Sequence, residues 1–300
     1  MCDDFTDLAG QDTLARKTLG GGLTRRQFAA LGPGAAALAA CQALPEGPLA
    51  ESDLAERPVS IQMGGAAQAP VADGFFVHPA KGAHPGIVMW PDIAGPRDAF
   101  KAMARRLAAA GHAVLVPNQY YRNAPAPVLD SFAQWRTPEG QEKLKPMIAA
   151  ITPEGTLADA AAFVAFLDGQ DAVDKARGVG ACGYCMGGPF AVRTAVAVPN
   201  RVKAAASFHG AWLVGPEPHS PVNLLDRTQA SFLFAIGRND DEKAPGDKTA
   251  LKQAADKAGR LAEVEVYPAD HGWCVPDSPV YDAAQADRAW GRLLALFGKL

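Results

Sequence analysis

Between positions 86 and 267, short unbroken apolar runs alternate with longer stretches of helical period. Residues 86–90 (Gly-Ile-Val-Met-Trp), 113–117 (Ala-Val-Leu-Val-Pro) and 178–183 carry no charged or amide side chain, the pattern of strands buried on both faces. Residues 202–208, 232–236 and 264–267 read as further strands. Between the strands, residues 98–110 put Phe100, Met103 and Leu107 on one stripe, with Gly111 as the stop. Helical period recurs at 156–167, 189–198, 247–258 and 283–297. Residues 59–63 and 75–78 alternate apolar with polar positions instead, as a hairpin at a sheet edge does. The sum predicts an α/β fold: a mostly parallel, doubly wound sheet with helices on both faces, right-handed crossovers and a site at the carboxyl edge of the strands. Residues 118–153, rich in Pro, Tyr and charge with a weakly helical middle, read as an excursion over that sheet.

The N-terminus follows another pattern. Thr24-Arg25-Arg26-Gln27-Phe28 precedes a mildly apolar run at 29–40 that is too short to span a bilayer stably. That order resembles a twin-arginine export signal, and Leu38-Ala39-Ala40-Cys41 resembles a lipobox. Residues 1–41 are therefore expected to direct export to the periplasm, with membrane attachment only through a lipidated Cys41; without a functional signal the protein stays cytoplasmic. Residues 42–57, with Pro45, Gly47 and Pro48, read as a linker, and 58–300 as one folded domain.

Composition narrows the function. Hydrophobic residues make up 48% of the chain and charged ones 20%, enough for a sizeable core. A formal charge of −3 with no basic block gives nucleic acid nothing to hold. The five cysteines (Cys2, Cys41, Cys182, Cys185, Cys274) are too uneven for a disulfide scaffold and lack metal-site spacing. Neither a metal nor a cofactor is implied.

Gly183-Tyr184-Cys185-Met186-Gly187 seats a nucleophile between two glycines where a buried strand turns into a helix. Only small neighbours let strand and helix pack so closely around a strained turn. The amino end of the next helix favours thiolate at Cys185, and the Met186 backbone N–H would be one oxyanion donor. Asp240 and Asp241 lie just past a later strand, and His271 follows the last strand in Asp270-His271-Gly272-Trp273. Nucleophile, acid, histidine is the chain order of α/β-hydrolases.

From about residue 59 to the C-terminus the chain resembles the dienelactone hydrolase (carboxymethylenebutenolidase) family. The resemblance rests on Gly183 to Gly188, on His271-Gly272-Trp273 with Val275-Pro276-Asp277, and on Pro91-Asp92-Ile93-Ala94-Gly95. It implies an α/β-hydrolase with a Cys185-His271-Asp240 triad and Asp241 as a solvated neighbour. It further implies Ile93 as the second oxyanion donor and Asp92 in place of a glutamate that holds the resting thiol. Pro117 to Arg122 resembles a stretch whose arginine binds a substrate carboxylate, making Arg122 an anion clamp; Tyr120 in that stretch and Trp273 are expected to face substrate. The family's second substrate arginine has no counterpart in residues 272–276, so the expected substrate is a lactone or activated ester other than dienelactone itself.

Two other classes remain open on sequence. Cys182-Gly183-Tyr184-Cys185 is a C-x-x-C at a strand-to-helix junction, as a thiol-disulfide redox protein carries, and Cys182 or Cys274 could switch Cys185 off by disulfide formation. A non-catalytic binding protein of the same fold is the other.

Overall fold

The computed structural model describes residues 49–64 and 69–300; the twin-arginine segment and the lipobox-like Cys41 lie outside the described residues, as do Cys2 and part of the expected linker. Among the described residues, eight strands form one sheet: β1 (Leu54–Gln62), β2 (Val71–Pro79), β3 (Gly86–Trp90), β4 (Ala113–Pro117), β5 (Val179–Tyr184), β6 (Val202–Phe208), β7 (Ser231–Gly237) and β8 (Ala262–Tyr267), in the order β1-β2-β4-β3-β5-β6-β7-β8. β2 runs antiparallel to both its neighbours, β1 and β4, and the other strand pairs are parallel. The expected edge hairpin is longer than its alternating core, because β1 starts at Leu54 opposite Pro79. The linker therefore ends before residue 57. Arg57 sits in the strand, its guanidinium lying over Phe76 and donating to Gln170 Oε1 at 2.7 Å.

Among the described residues, eight α-helices connect and cover the sheet: α1 (Asp98–Ala109), α2 (Phe132–Trp135), α3 (Pro138–Ala149), α4 (Pro153–Asp168), α5 (Gly187–Ala197), α6 (Arg238–Lys243), α7 (Asp247–Lys257) and α8 (Ala283–Phe297). Each central strand feeds both faces, since successive side chains alternate. Ile87 and Met89 join Phe100 of α1 and Leu293 of α8 in one core, whereas Val88 and Trp90 join Phe163 of α4 and Phe190 of α5 in the other. Five-residue strands with no exposed position explain why β3 and β4 read as unbroken apolar runs. The excursion at 118–153 is more helical than its sequence suggests. α3 opens on a Thr137 cap, whose Oγ1 accepts from the Gly140 N–H at 3.1 Å, yet it buries only Gly140 and Leu144, too few positions to write a period.

Candidate active site

Adjacent strand ends bring the sequence-predicted residues to one edge. β5 ends at Tyr184, and the chain reverses at Cys185 with φ of +51° before α5 begins. A side-chain-bearing residue holds that conformation at a cost of about 1–3 kcal/mol, so its surroundings must impose it. They do so on both sides: Cys185 N–H donates to Phe208 O at 3.1 Å, and Cys185 O accepts from Gly188 N–H at 3.0 Å and Ala211 N–H at 3.1 Å. The flanking glycines are steric requirements. A Cβ on Gly183 would lie 1.9 Å from Gly187 O, and one on Gly187 would lie 2.5 Å from Pro91 O.

Beyond β7, α6 raises Asp240; beyond β8, the chain delivers His271. The Asp240 carboxylate meets His271 Nδ1 at 2.9 and 3.0 Å, and Asn239 Oδ1 accepts from the His271 backbone N–H at 2.8 Å, so ring and loop are both held. The other ring nitrogen, Nε2, is buried with no hydrogen-bond partner among the described residues, and Cys185 is the nearest source of negative charge on that side of the ring. Burial alone would push His271 down, but the negative charge it gains from Cys185 and then Asp240 outweighs burial and raises it to about 10. Asp241 instead pairs with Lys248 Nζ at 2.6 Å.

Ile93 and Met186 are both buried, and among the described residues neither backbone N–H finds an acceptor. Buried N–H groups left without partners are rare in folded proteins. The two residues meet at one point: the Tyr120 hydroxyl donates to Ile93 O at 2.7 Å and lies 4.0 Å from Met186 Sδ.

Four expected substrate or gating roles change. Asp92 does not hold a thiol, because both its oxygens accept from the buried Arg97, at 2.7 and 2.9 Å, and Oδ1 also accepts from Ala94 N–H. Arg122 is no anion clamp: it is spent on a bidentate pair with Asp159, both bonds 2.7 Å, and faces a cleft lined by Ser60, Met63 and Phe166. Tyr120 has no exposed surface and its hydroxyl braces Ile93. Trp273 is turned into the core by Gly272 (φ +105°), where it stacks on Tyr267 at 5.1 Å.

The site also holds groups that sequence reasoning passed over. Arg97 spends every N–H donor, pairing with Asp92, with Asp277 (2.7 and 2.8 Å) and with Gly95 O at 3.0 Å. Asp277 Oδ2 in turn accepts from Phe132 N–H at 3.0 Å. One guanidinium thus joins the Asp92–Gly95 turn, the chain after His271 and the start of α2. His209, at the end of β6, packs on His271 with ring centroids 4.8 Å apart, and its Nδ1 accepts from Cys185 N–H at 3.1 Å. That bond puts any ring proton of the neutral form on Nε2. Burial, and then His271, holds His209 well below the usual histidine range, so it stays neutral beside its charged neighbour. A His-Gly pair at the end of the strand next to the nucleophile was the available signal.

Cys182 and Cys274 belong to the core on the α1/α8 side, whereas Cys185 belongs to the opposite one. Burial pushes both thiols well above the usual range, so neither readily supplies a thiolate to exchange with Cys185. All three described cysteines are free.

Comparison with known proteins agrees with this architecture. The family model described as "Dienelactone hydrolase family" matches residues 72–300. A Synechocystis protein provisionally named as a carboxymethylenebutenolidase is 30% identical over 231 residues, 75% of this chain and 90% of that one. A Methylorubrum extorquens protein with the same provisional name is 28% identical over 300 residues, covering 97% of this chain and 94% of its own. A crystal structure provisionally titled as a Klebsiella pneumoniae dienelactone hydrolase superposes with a TM-score of 0.68 at 22% identity, over 82% of this chain and all of that one. On this evidence the chain is a carboxylic ester hydrolase and belongs to the dienelactone hydrolase family.

Proposed function

We propose that the protein cleaves a lactone or activated ester through a thioester on Cys185. The observation that carries this reading is that neither the Ile93 N–H, in the Asp92–Gly95 turn after β3, nor the Met186 N–H, at the turn that seats Cys185, has an acceptor among the described residues, which leaves two donors free for an oxyanion. Cys185 thiolate attacks the carbonyl carbon, and the oxygen takes the electron pair between those two amides. His271, already protonated, gives its proton to the leaving alkoxide or enolate as the C–O bond breaks. The neutral imidazole then takes a proton from water, whose oxygen attacks the thioester and releases the acid with Cys185 restored. A thiolate is itself a good leaving group, so the reading favours activated esters and lactones over amides. With Arg97 and Arg122 both paired to carboxylates, neither is available for a substrate anion.

A rapid mix of the protein with a chromogenic aryl ester, quenched in acid, is expected to show an acyl group on the peptide containing Cys185. Ester turnover with no acyl adduct at that peptide would point to direct attack by water and sink the thioester mechanism.

Asp240 supplies a second check. It is one of the two negative neighbours that raise His271, so Asp240→Asn lowers the pH at which the imidazolium is lost. The alkaline limb of the kcat/KM profile should move to lower pH, and kcat/KM at neutral pH should fall by about 10²-fold. An unmoved limb would show that Asp240 does not set the charge on His271.

A further inference from the structure

Gln119 has no role in the chemistry proposed above, yet it is buried beside it. Its Nε2 donates to the Asp92 carbonyl oxygen at 2.7 Å. Its Oε1 is buried with no partner. A buried amide oxygen without a donor is a standing cost, and a leucine of similar shape would avoid it. The amide cannot be reversed to relieve it, because Oε1 would then face the Asp92 carbonyl oxygen with no proton between them.

The consequence lies on the far side of the peptide bond. In a trans peptide the carbonyl and the N–H point in opposite directions, so whatever holds the Asp92 carbonyl aims the Ile93 N–H. Two donors hold it: Gly95 N–H at 3.0 Å, closing the turn, and Gln119 Nε2 from outside the turn. The next peptide is fixed from the same segment, since the Tyr120 hydroxyl holds Ile93 O and the Ala94 N–H is held by Asp92 Oδ1. The segment that reaches across is itself anchored at the end of β4. Asn118 N–H donates to Asp73 O at 3.0 Å, Asn118 Nδ2 to Ala124 O at 2.8 Å, and Tyr120 N–H to Asn118 Oδ1 at 2.9 Å.

We infer that Gln119 is a positioning residue for the oxyanion hole, setting the direction of the Ile93 N–H through the Asp92 carbonyl. This rests on the proposed role of Ile93. Losing an oxyanion donor outright lowers kcat by about 10²–10³-fold. With Gly95 still closing the turn, Gln119→Leu should lower kcat for an aryl ester by about 10-fold and change KM by less than about 2-fold, a loss confined to the transition state.

The test separates this from a merely structural effect. Alkylation of Cys185 by iodoacetamide uses the same thiolate and the same His271 but develops no oxyanion. Its rate in Gln119→Leu should stay within about 2-fold of wild type. An aldehyde inhibitor, whose hemithioacetal oxygen occupies the hole, should bind about 10-fold more weakly. The melting temperature should not fall, because the buried orphan oxygen has gone. Gln119→Met, which keeps the length and removes the donor, should reproduce the loss of kcat. An unchanged kcat, alkylation slowed in step with kcat, or a marked fall in melting temperature would each overturn the assignment. Failure of the underlying reading looks different: Cys185→Ala would then retain ester turnover whatever stands at position 119.

Discussion

Cys185→Ala is expected to lower kcat by at least about 10⁴-fold while leaving the fold intact. The substitution removes the only protein atom proposed to bond to the acyl carbon. The amides of Ile93 and Met186 belong to the backbone and stay in place, so any residual rate is that of water attacking a polarised carbonyl. The same change should be visible without substrate. His271 is pushed down by its burial and up by Cys185 and Asp240, with Cys185 the larger of the two upward influences. Deleting the thiol leaves burial opposed by Asp240 alone, so the imidazole of the variant should titrate well below the value of about 10 held in the wild type. NMR titration of the ring would read this directly; a ring that still titrates near 10 would mean that its charge partner is not Cys185. Alanine keeps a Cβ at φ +51°, so the strain of the turn persists. Cys185→Gly, equally inactive, should be more stable than Cys185→Ala by about 1 kcal/mol.

The sheet and the gathering of Cys185, Asp240 and His271 at strand ends were legible in the sequence for one physical reason. Strands buried on both faces cannot carry polar residues, and a nucleophile wedged between strand and helix cannot have side chains beside it. β3, β4 and β5 therefore wrote themselves as apolar runs, and Gly183 and Gly187 marked the turn between Tyr184 and α5. What stayed hidden was the pairing of charges. Asp92 and Arg122 stand where the family resemblance puts substrate chemistry, but each has a partner that consumes it: Arg97 across the turn in one case, Asp159 on α4 in the other. A pairing over 37 positions leaves no trace in local pattern. His209 was missed because a histidine after a strand reads as a loop residue until β6 is known to lie between β5 and β7. Trp273 lies two residues beyond His271, but the positive φ of Gly272 turns its side chain into the core, onto Tyr267 and the His209 ring.

The Arg97 junction should have the largest effect on stability. Arg97 is 1% exposed and so is Asp92, so Arg97→Met would leave a carboxylate with neither water nor a cation. Breaking a buried ion pair from one side costs about 3–5 kcal/mol, mostly the cost of the stranded charge. Urea unfolding should show a lower midpoint with an unchanged slope. Arg97→Met combined with Asp92→Asn should recover much of the loss, because the fully buried charge is then gone and Asp277, partly exposed, keeps water; a double variant no better than the sum of the singles would refute that account. The pH dependence carries a sign of its own. Burial pushes Asp277 up, but Arg97 more than offsets it and holds the carboxyl below its ordinary 3.8. A depressed carboxyl stabilises the fold above its unfolded value and loses that contribution as pH falls through the folded one. The Asp277 share of the difference between wild type and Arg97→Met should therefore be present at neutral pH and fade below pH 3.8. Activity should fall further than stability alone explains, since Arg97 is what ties the Asp92–Gly95 turn to the chain that follows His271. With that tie cut, the Ile93 N–H and the histidine are positioned independently, and even molecules that remain folded should turn over more slowly.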